Sequence, residues 1–190
     1  MNRLYQIINY LGKNIKKGFT MHELSRILNI PYASFYRAVQ QMKNLLSIEH
    51  VGKSKVIKLN VNNPVVKAHL TVASDEERKE FLKSQPLIRK ICNELKTKDI
   101  VVLFGSYAKG KQNEKSDIDI LVVNNDGKKS LSFSKYELLF KKKINPIFIS
   151  KREFKEMLRD RDENIGKQVL KGHIVLNAIE DFWRCVLSGV

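Results

Sequence analysis

Apolar residues in the first third of the chain recur at the spacing of amphipathic helices. A first helix should end near Gly12, with an apolar face made of Leu4, Ile7, Ile8 and Leu11. Thr20 and Glu23 stand at the spacing at which two side chains satisfy each other's free backbone amides. This capping box predicts a second helix from about Met21 to Leu28.

A third helix should begin at Pro31, after the turn formed by Asn29 and Ile30. Helical spacing assigns its buried face to Phe35, Val39, Met42 and Leu46. The opposite face is polar and aromatic, and it carries Tyr32, Ser34, Tyr36, Arg37, Gln40 and Lys43. Further along, segments 48–50 and 56–59 predict a short β-hairpin with Lys53 and Lys55 near its tip.

This order of three helices and a hairpin resembles a winged helix-turn-helix domain. The resemblance implies that the third helix enters the major groove of double-stranded DNA, where Arg37 and Gln40 can read base edges. Its Ser, Tyr and Lys side chains would mostly contact phosphates, and the hairpin would grip the adjacent backbone. A homodimer would fit, because such proteins usually bind two half-sites. Two alternatives stay open: a protein–protein module, and an Arg37 that only braces its own helix.

The second part of the chain has a different pattern. Asn62, Asn63 and Pro64 mark a boundary, and residues 65 to about 84 predict a long, polar helix. A further helix should begin at Pro86, after which strand and helix signals alternate. We therefore predict an α/β (α+β) fold with a small mixed sheet. The expected domains are a winged helix over residues 1–62, a linker helix over 63–86 and a second domain over 87–190.

The second domain contains a candidate phosphate-binding turn. The apolar segment 100–104 runs into Gly105 and Ser106, where backbone amides can approach phosphate oxygens closely. A helix that begins here would add its N-terminal amides and its positive dipole end. Lys109 or Lys111 could then reach a phosphate, although lysines in so basic a chain can equally be solvated.

Two carboxylates follow on the next predicted strand. Asp117 and Asp119 alternate with Ile118 and Ile120, so they should share one face of the strand. Paired hard oxygen ligands suit Mg²⁺, which usually takes one or two carboxylates together with substrate phosphate oxygens. The spacing predicts a Mg²⁺ ion that binds with its nucleotide. The alternative is an edge strand with solvated acids on its outer face.

The segment from Gly105 to Gly110, followed by Asp117 and Asp119, resembles the signature of the polymerase-beta-like nucleotidyltransferase superfamily, especially its minimal members. The resemblance covers about residues 87–190. It implies that Gly105, Ser106 and Lys109 bind a nucleoside triphosphate, with ATP expected first, while the two aspartates hold Mg²⁺. A nucleoside monophosphate would pass to an acceptor, with release of pyrophosphate. Small members often work with a helical partner protein as toxin and antitoxin.

One position departs from that pattern. The superfamily normally supplies a third carboxylate from a later strand, and the best-aligned residue here is Asn145. An amide cannot act as a general base, and such a base contributes about a hundredfold to ten-thousandfold in rate. Two functions therefore stay open: a nucleotidyltransferase, and a DNA-binding transcriptional regulator whose second domain senses a nucleotide without turning it over.

Charge and composition add limits to these hypotheses. The net charge is +15, and residues 1–60 carry ten Lys or Arg against only Glu23 and Glu49. Such an excess of positive charge favours binding to polyanionic partners, or it serves only to keep the protein soluble. Cys92 and Cys185 form no ligand or disulfide pattern. No apolar run reaches the roughly eighteen residues of a membrane span, so we expect a cytoplasmic protein without a membrane partner.

Overall fold

The computed structural model describes residues 2–52 and 54–190. The chain folds as two compact units, divided between Glu76 and Glu77. That position lies inside a helix that spans Val65–Lys83. The boundaries expected at residues 62 and 87 stay predictions, because a helix shared by both units does not by itself define a domain limit.

The N-terminal unit packs its helices on a small antiparallel sheet. Its elements in chain order are α1 (Arg3–Lys13), β1 (Phe19–Thr20), α2 (Met21–Ile27), α3 (Tyr32–Gln41), β2 (Leu46–Val51), β3 (Ser54–Leu59) and the first part of α4 (Val65–Lys83). Among the described residues the strand order is β1-β3-β2, with neighbours antiparallel. The sequence pattern did not indicate β1, because two residues are too few to show alternation.

Side-chain caps mark the starts of α1 and α2, and a proline precedes α3. The predicted capping box is confirmed: the Glu23 amide donates to Thr20 Oγ1 at 3.1 Å, and the Thr20 amide donates to Glu23 Oε2 at 3.4 Å. At α1, the Leu4 amide donates to Asn2 Oδ1 at 3.1 Å. Pro31 occupies the N-cap position of α3, so this helix begins at Tyr32, one residue after the expected start, and the φ of −52° at Pro31 suits entry into a helix.

The apolar faces of this unit meet in one core. Leu24, Phe35, Val39 and Ile57 are each 0% exposed. The expected buried face of α3 is confirmed, although Met42 and Leu46 follow the end of the helix rather than belonging to it. Full burial of such a side chain contributes about 1.5–3 kcal/mol to the stability of the folded state.

The C-terminal unit is built on a mixed sheet. After the end of α4, its elements are α5 (Pro86–Glu94), β4 (Ile100–Phe104), α6 (Gly105–Ala108), β5 (Ile118–Asn124), α7 (Ser134–Phe140), β6 (Ile144–Ser150), α8 (Lys151–Arg159), α9 (Ile165–Lys171), β7 (Ile174–Asn177) and α10 (Ile179–Gly189). The strand order within the described residues is β6-β5-β4-β7. Strand β5 runs parallel to β6 and antiparallel to β4.

Helices cover the apolar strands of this sheet. Residues 100–103 and 120–123 are each 0% exposed, which fits strands that read as continuous apolar runs. In α10, Phe182 and Trp183 are fully buried. The two sheets with their flanking helices confirm the predicted mixed α/β class. None of the helices formed by residues 2–52 and 54–190 has both the length and the hydropathy to cross a bilayer.

Candidate functional site

Two carboxylates lie where β5 begins. Asp117 immediately precedes the strand, and Asp119 is the second residue in it. The Ile118 side chain between them is 0% exposed, whereas both aspartates are only partly buried. In the sheet, Asp119 pairs with Phe104 of β4 on one side and with Asn145 of β6 on the other. Sheet register therefore brings together residues that are far apart in sequence.

The Asn145 amide bridges the two carboxylates. Its Nδ2 donates to Asp117 Oδ2 at 3.2 Å and to Asp119 Oδ1 at 3.4 Å. The Lys143 ammonium lies 3.5 Å from Asp117 Oδ2 on a side chain that is 69% exposed. We call Gly105, Asp117, Asp119 and Asn145 the carboxylate site. The sequence singled out all four residues, whereas the contact of Lys143 was not anticipated.

Gly105 has two separate reasons to be glycine. Its backbone φ is +71°, a conformation that residues other than glycine adopt only with strain. A Cβ at this position would also lie 2.2 Å from Asp119 Oδ2, too close for any real contact. The backbone of the turn after β4 therefore directly adjoins a carboxylate of β5.

The rest of that turn continues along the same sheet end. Ser106 is partly buried in the short helix α6, and its carbonyl accepts from the Lys111 amide at 3.0 Å. Burial raises the pKa of the Tyr107 hydroxyl, and the negative charge of Asp117 raises it further. Lys109 is exposed, and its methylenes pass so close to Gly172 that a Cβ there would lie 2.9 Å from Lys109 Cε. The sequence did not indicate the contacts of Tyr107 and Gly172.

The carboxylate site fits a divalent cation that brings further ligands with it. The carboxylate oxygens of Asp117 and Asp119 are hard metal ligands, and they lie together at one end of the sheet, where both contact Asn145. Within the described part of the chain, no group of three or more His, Cys, Asp or Glu side chains is arranged to hold a metal. Two carboxylates are what Mg²⁺ commonly takes from a protein when waters and substrate phosphates complete its shell.

A second polar cluster in this unit joins α5 to α7. Glu94 Oε1 accepts from Lys90 Nζ at 2.6 Å, and Glu94 Oε2 accepts from Lys135 Nζ at 2.8 Å and from the Tyr136 hydroxyl at 3.1 Å. These hydrogen bonds lower the pKa of Glu94 to about 2, and the one from Lys135 has the largest effect. None of these four residues belongs to the carboxylate site, so the cluster serves to dock α7.

The residues expected to contact DNA lie on the surface of the N-terminal unit. We call them the α3 face: Tyr32, Ser34, Tyr36, Arg37, Gln40, Lys43 and, on β3, Lys55. All are exposed except Ser34, which is partly buried. Arg37 Nε donates to the Ala33 carbonyl at 3.4 Å, so part of this side chain braces its own helix. Lys53, the other expected hairpin contact, lies outside the described residues.

An aromatic stack extends the α3 face. The rings of His22 and Tyr32 lie parallel, with centroids 4.1 Å apart and planes 6° apart. The ring centroid of Tyr36 lies 6.5 Å from that of Tyr32. His22 is in the first turn of α2 and Tyr32 in the first turn of α3, so the stack joins the starts of both helices. Sequence reasoning missed His22, because nothing local signals a ring contact across a turn.

Comparison with known proteins identifies the class of the C-terminal unit. Residues 86–175 match the sequence model of the nucleotidyltransferase domain family. This match includes the Gly105 turn and both aspartates. Family membership implies a nucleoside triphosphate substrate.

A protein of Methanocaldococcus jannaschii, named "Putative protein adenylyltransferase MJ0141", is 37% identical to this chain over 78 residues. The aligned region covers 37% of this chain and 78% of that protein. The chain therefore belongs to the nucleotidyltransferase domain family. No solved structure matches the chain.

Proposed function

We propose that the C-terminal unit binds a nucleoside triphosphate with Mg²⁺, ATP before the others, and transfers a nucleoside monophosphate to an acceptor hydroxyl. Family membership supports the reaction class. The name of the M. jannaschii relative supports ATP as donor and a protein as the first acceptor to test. In this proposal Asp117 and Asp119 hold the metal, while Gly105, Ser106 and Lys109 bind the phosphates.

The observation that carries the proposal is the contact of Gly105 with Asp119. A turn that can present backbone amides to phosphate lies so close to a carboxylate that no side chain fits between them. A triphosphate bound on that turn would bring its oxygens to the carboxylates. One bound Mg²⁺ would then neutralise charge on both sides and polarise the phosphate.

The transfer itself is a displacement at the α-phosphorus. The acceptor oxygen forms a bond to this phosphorus, the bond to the β-phosphate bridging oxygen breaks, and pyrophosphate leaves. The acceptor hydroxyl loses its proton to solvent or to a basic group. The chain contributes positioning and charge, which provide most of the rate enhancement in phosphoryl-type transfers.

Label transfer tests this proposal. The protein is incubated in host-cell extract with Mg²⁺ and ATP, CTP, GTP or UTP labelled in the α-phosphate. We expect label on an acceptor with the native chain and none with the Asp117→Ala, Asp119→Ala double variant. Asp126→Ala is the matched control, because it removes an exposed carboxylate from the turn after the far end of β5. Transfer by the double variant at the native rate would contradict the proposal.

A second function is supported by Asn145. The residue is in direct register with Asp119, and an amide there cannot accept the proton of the attacking hydroxyl. A regulator that binds a nucleotide without transfer would show no label in the same experiment, yet retain Mg²⁺-dependent nucleotide binding. Calorimetric titration of the native chain with Mg²⁺ and ATP separates this outcome from simple inactivity.

For the N-terminal unit we propose a winged helix-turn-helix domain that binds double-stranded DNA. The basic excess of residues 1–60 and the exposure of the α3 face support this function. Affinity should fall steeply with salt, because phosphate contacts release counterions. Equal binding to all duplexes at low salt, lost at physiological salt, would contradict a regulatory role and favour a protein–protein module. The homodimer, the helical toxin–antitoxin partner and the cytoplasmic location stay predictions.

A further inference from the structure

We infer that Asn145 substitutes for a cation in the metal-free protein: its amide holds Asp117 and Asp119 together and so weakens the binding of free Mg²⁺. The metal then binds efficiently only together with its nucleotide. This inference rests on the proposed function of the same site, and it identifies the residue that makes metal binding depend on nucleotide.

The hydrogen-bond geometry gives Asn145 this role. Its Nδ2 is 3.2 Å from Asp117 Oδ2 and 3.4 Å from Asp119 Oδ1. Ionised carboxylates only accept hydrogen bonds, so the nitrogen rather than the oxygen of the amide must face them. An NH₂ group carries two hydrogens, which is one for each carboxylate. The direct register of Asn145 with Asp119 holds the donor in place between them.

The neighbouring lysine does not perform the same task. Lys143 Nζ lies 3.5 Å from Asp117 Oδ2, but its side chain is 69% exposed. Solvent screens an ion pair of this kind, so it adds little to stability. The amide of Asn145 is therefore the donor that contacts both carboxylates, whereas Lys143 is a solvent-screened counterion of Asp117.

Thermodynamic linkage connects the bridge to metal affinity. An interaction that stabilises only the metal-free state must be given up when the metal binds, so it lowers the affinity. A carboxylate at position 145 would act in the opposite direction. It would repel Asp117 and Asp119 in the metal-free protein and would offer a further ligand once Mg²⁺ is bound.

The experiment compares thermal unfolding of the 190-residue chain in EDTA with its unfolding at increasing Mg²⁺, without nucleotide. The variants are Asn145→Leu, which removes both donors, and Asn145→Asp, which replaces them by a charge. In EDTA we expect both to unfold at lower temperature than the native chain, by about 2–4 °C for Asn145→Leu and more for Asn145→Asp. Asn125→Asp is the control, because it adds the same charge at an exposed turn position.

Metal titration is the readout that a merely structural residue would not change. We expect both variants to bind free Mg²⁺ more tightly than the native chain, with Asn145→Asp on the order of tenfold tighter. Lys143→Met should change the affinity in the same direction by a smaller factor. Weaker Mg²⁺ binding by Asn145→Leu would overturn the inference, because it would make the amide oxygen a metal ligand. Unchanged unfolding of both variants in EDTA would overturn it as well.

Failure of this inference is distinguishable from failure of the proposed function. The native chain and the Asp117→Ala, Asp119→Ala variant are titrated with Mg²⁺ and ATP together. If the native chain binds and the double variant does not, the function stands whatever the Asn145 variants do. If neither binds, the function fails, whereas the unfolding data in EDTA still report on the bridge alone.

Discussion

The two units place their candidate functional residues in opposite ways. On the α3 face, most residues come from one helix, so their proximity follows from chain neighbours alone. In the carboxylate site, Gly105, Asp119 and Asn145 come from different elements and meet through sheet register. The α3 face should therefore tolerate substitution one residue at a time, whereas the carboxylate site should fail when any contributing element shifts.

The largest expected effect tests whether each site depends on its own unit. Phe35 is 0% exposed in the N-terminal core, and Phe35→Ala should cost about 3–5 kcal/mol of unfolding free energy. DNA binding should then be lost while Mg²⁺–ATP binding remains, as measured by circular dichroism melting with parallel titrations of each ligand. Loss of nucleotide binding as well would show that the carboxylate site needs the N-terminal unit.

The next effect separates contact from backbone strain. Gly105→Ala should destabilise the protein by about 1–3 kcal/mol and weaken Mg²⁺–ATP binding on the order of a hundredfold, because the methyl group displaces Asp119. Gly110→Ala is the matched control: its φ is +64°, and a Cβ there meets no described atom within 4 Å. That variant should lose only about 1 kcal/mol of unfolding free energy and keep its nucleotide affinity. Equal loss of affinity in both would contradict the close-contact argument.

On the α3 face, two substitutions should differ in kind rather than in size. Arg37→Ala should cost about 1–3 kcal/mol of binding free energy for a preferred duplex and should reduce discrimination among DNA sequences. Lys55→Ala should weaken binding to all duplexes alike. It should also reduce, by about 1, the magnitude of the slope of log affinity against log salt concentration. Fluorescence anisotropy at several salt concentrations measures both quantities. If the Arg37 variant keeps its discrimination, the contact of Arg37 with the Ala33 carbonyl is its main role.

The smallest effect concerns pH and the docking of α7. The pKa of Glu94 is lowered from 4.5 to about 2, first by the hydrogen bond from Lys135. Folding therefore favours the charged form, and this stabilisation is complete above about pH 4.5 and disappears as the pH falls toward 2. Glu94→Gln should unfold slightly below the native melting temperature at neutral pH, with the difference narrowing in that acid window.

Glu80→Gln is the comparison for this experiment, because Glu80 pairs with Lys83 within a single helix. Its effect should be smaller, because an exposed ion pair between two residues of one helix contributes little to stability. A melting difference for Glu94→Gln that stayed constant down to pH 2 would contradict the assignment to Glu94.

Local patterns predicted much of the fold. The capping box of Thr20 and Glu23, the buried face led by Phe35 and the apolar strands before Gly105 and after Asp117 all agree with the structure. These signals depend on residues close together in sequence, where caps and periodicity act directly. Strand β1 and the stack of His22 on Tyr32 gave no such signal, because both arise from packing between elements.

The sequence by itself determined the mixed α/β class, the helix starts and the residue types of the proposed magnesium-nucleotide site, since propensity, periodicity and short motifs are local properties. Only the tertiary structure decided that the Asn145 amide bridges Asp117 and Asp119, and that Asp119 closes the space beside Gly105. The physical reason is sheet register. Pairing between β4, β5 and β6 is selected by the packing of the whole apolar sheet, and a shift of one residue would turn these side chains to the other face.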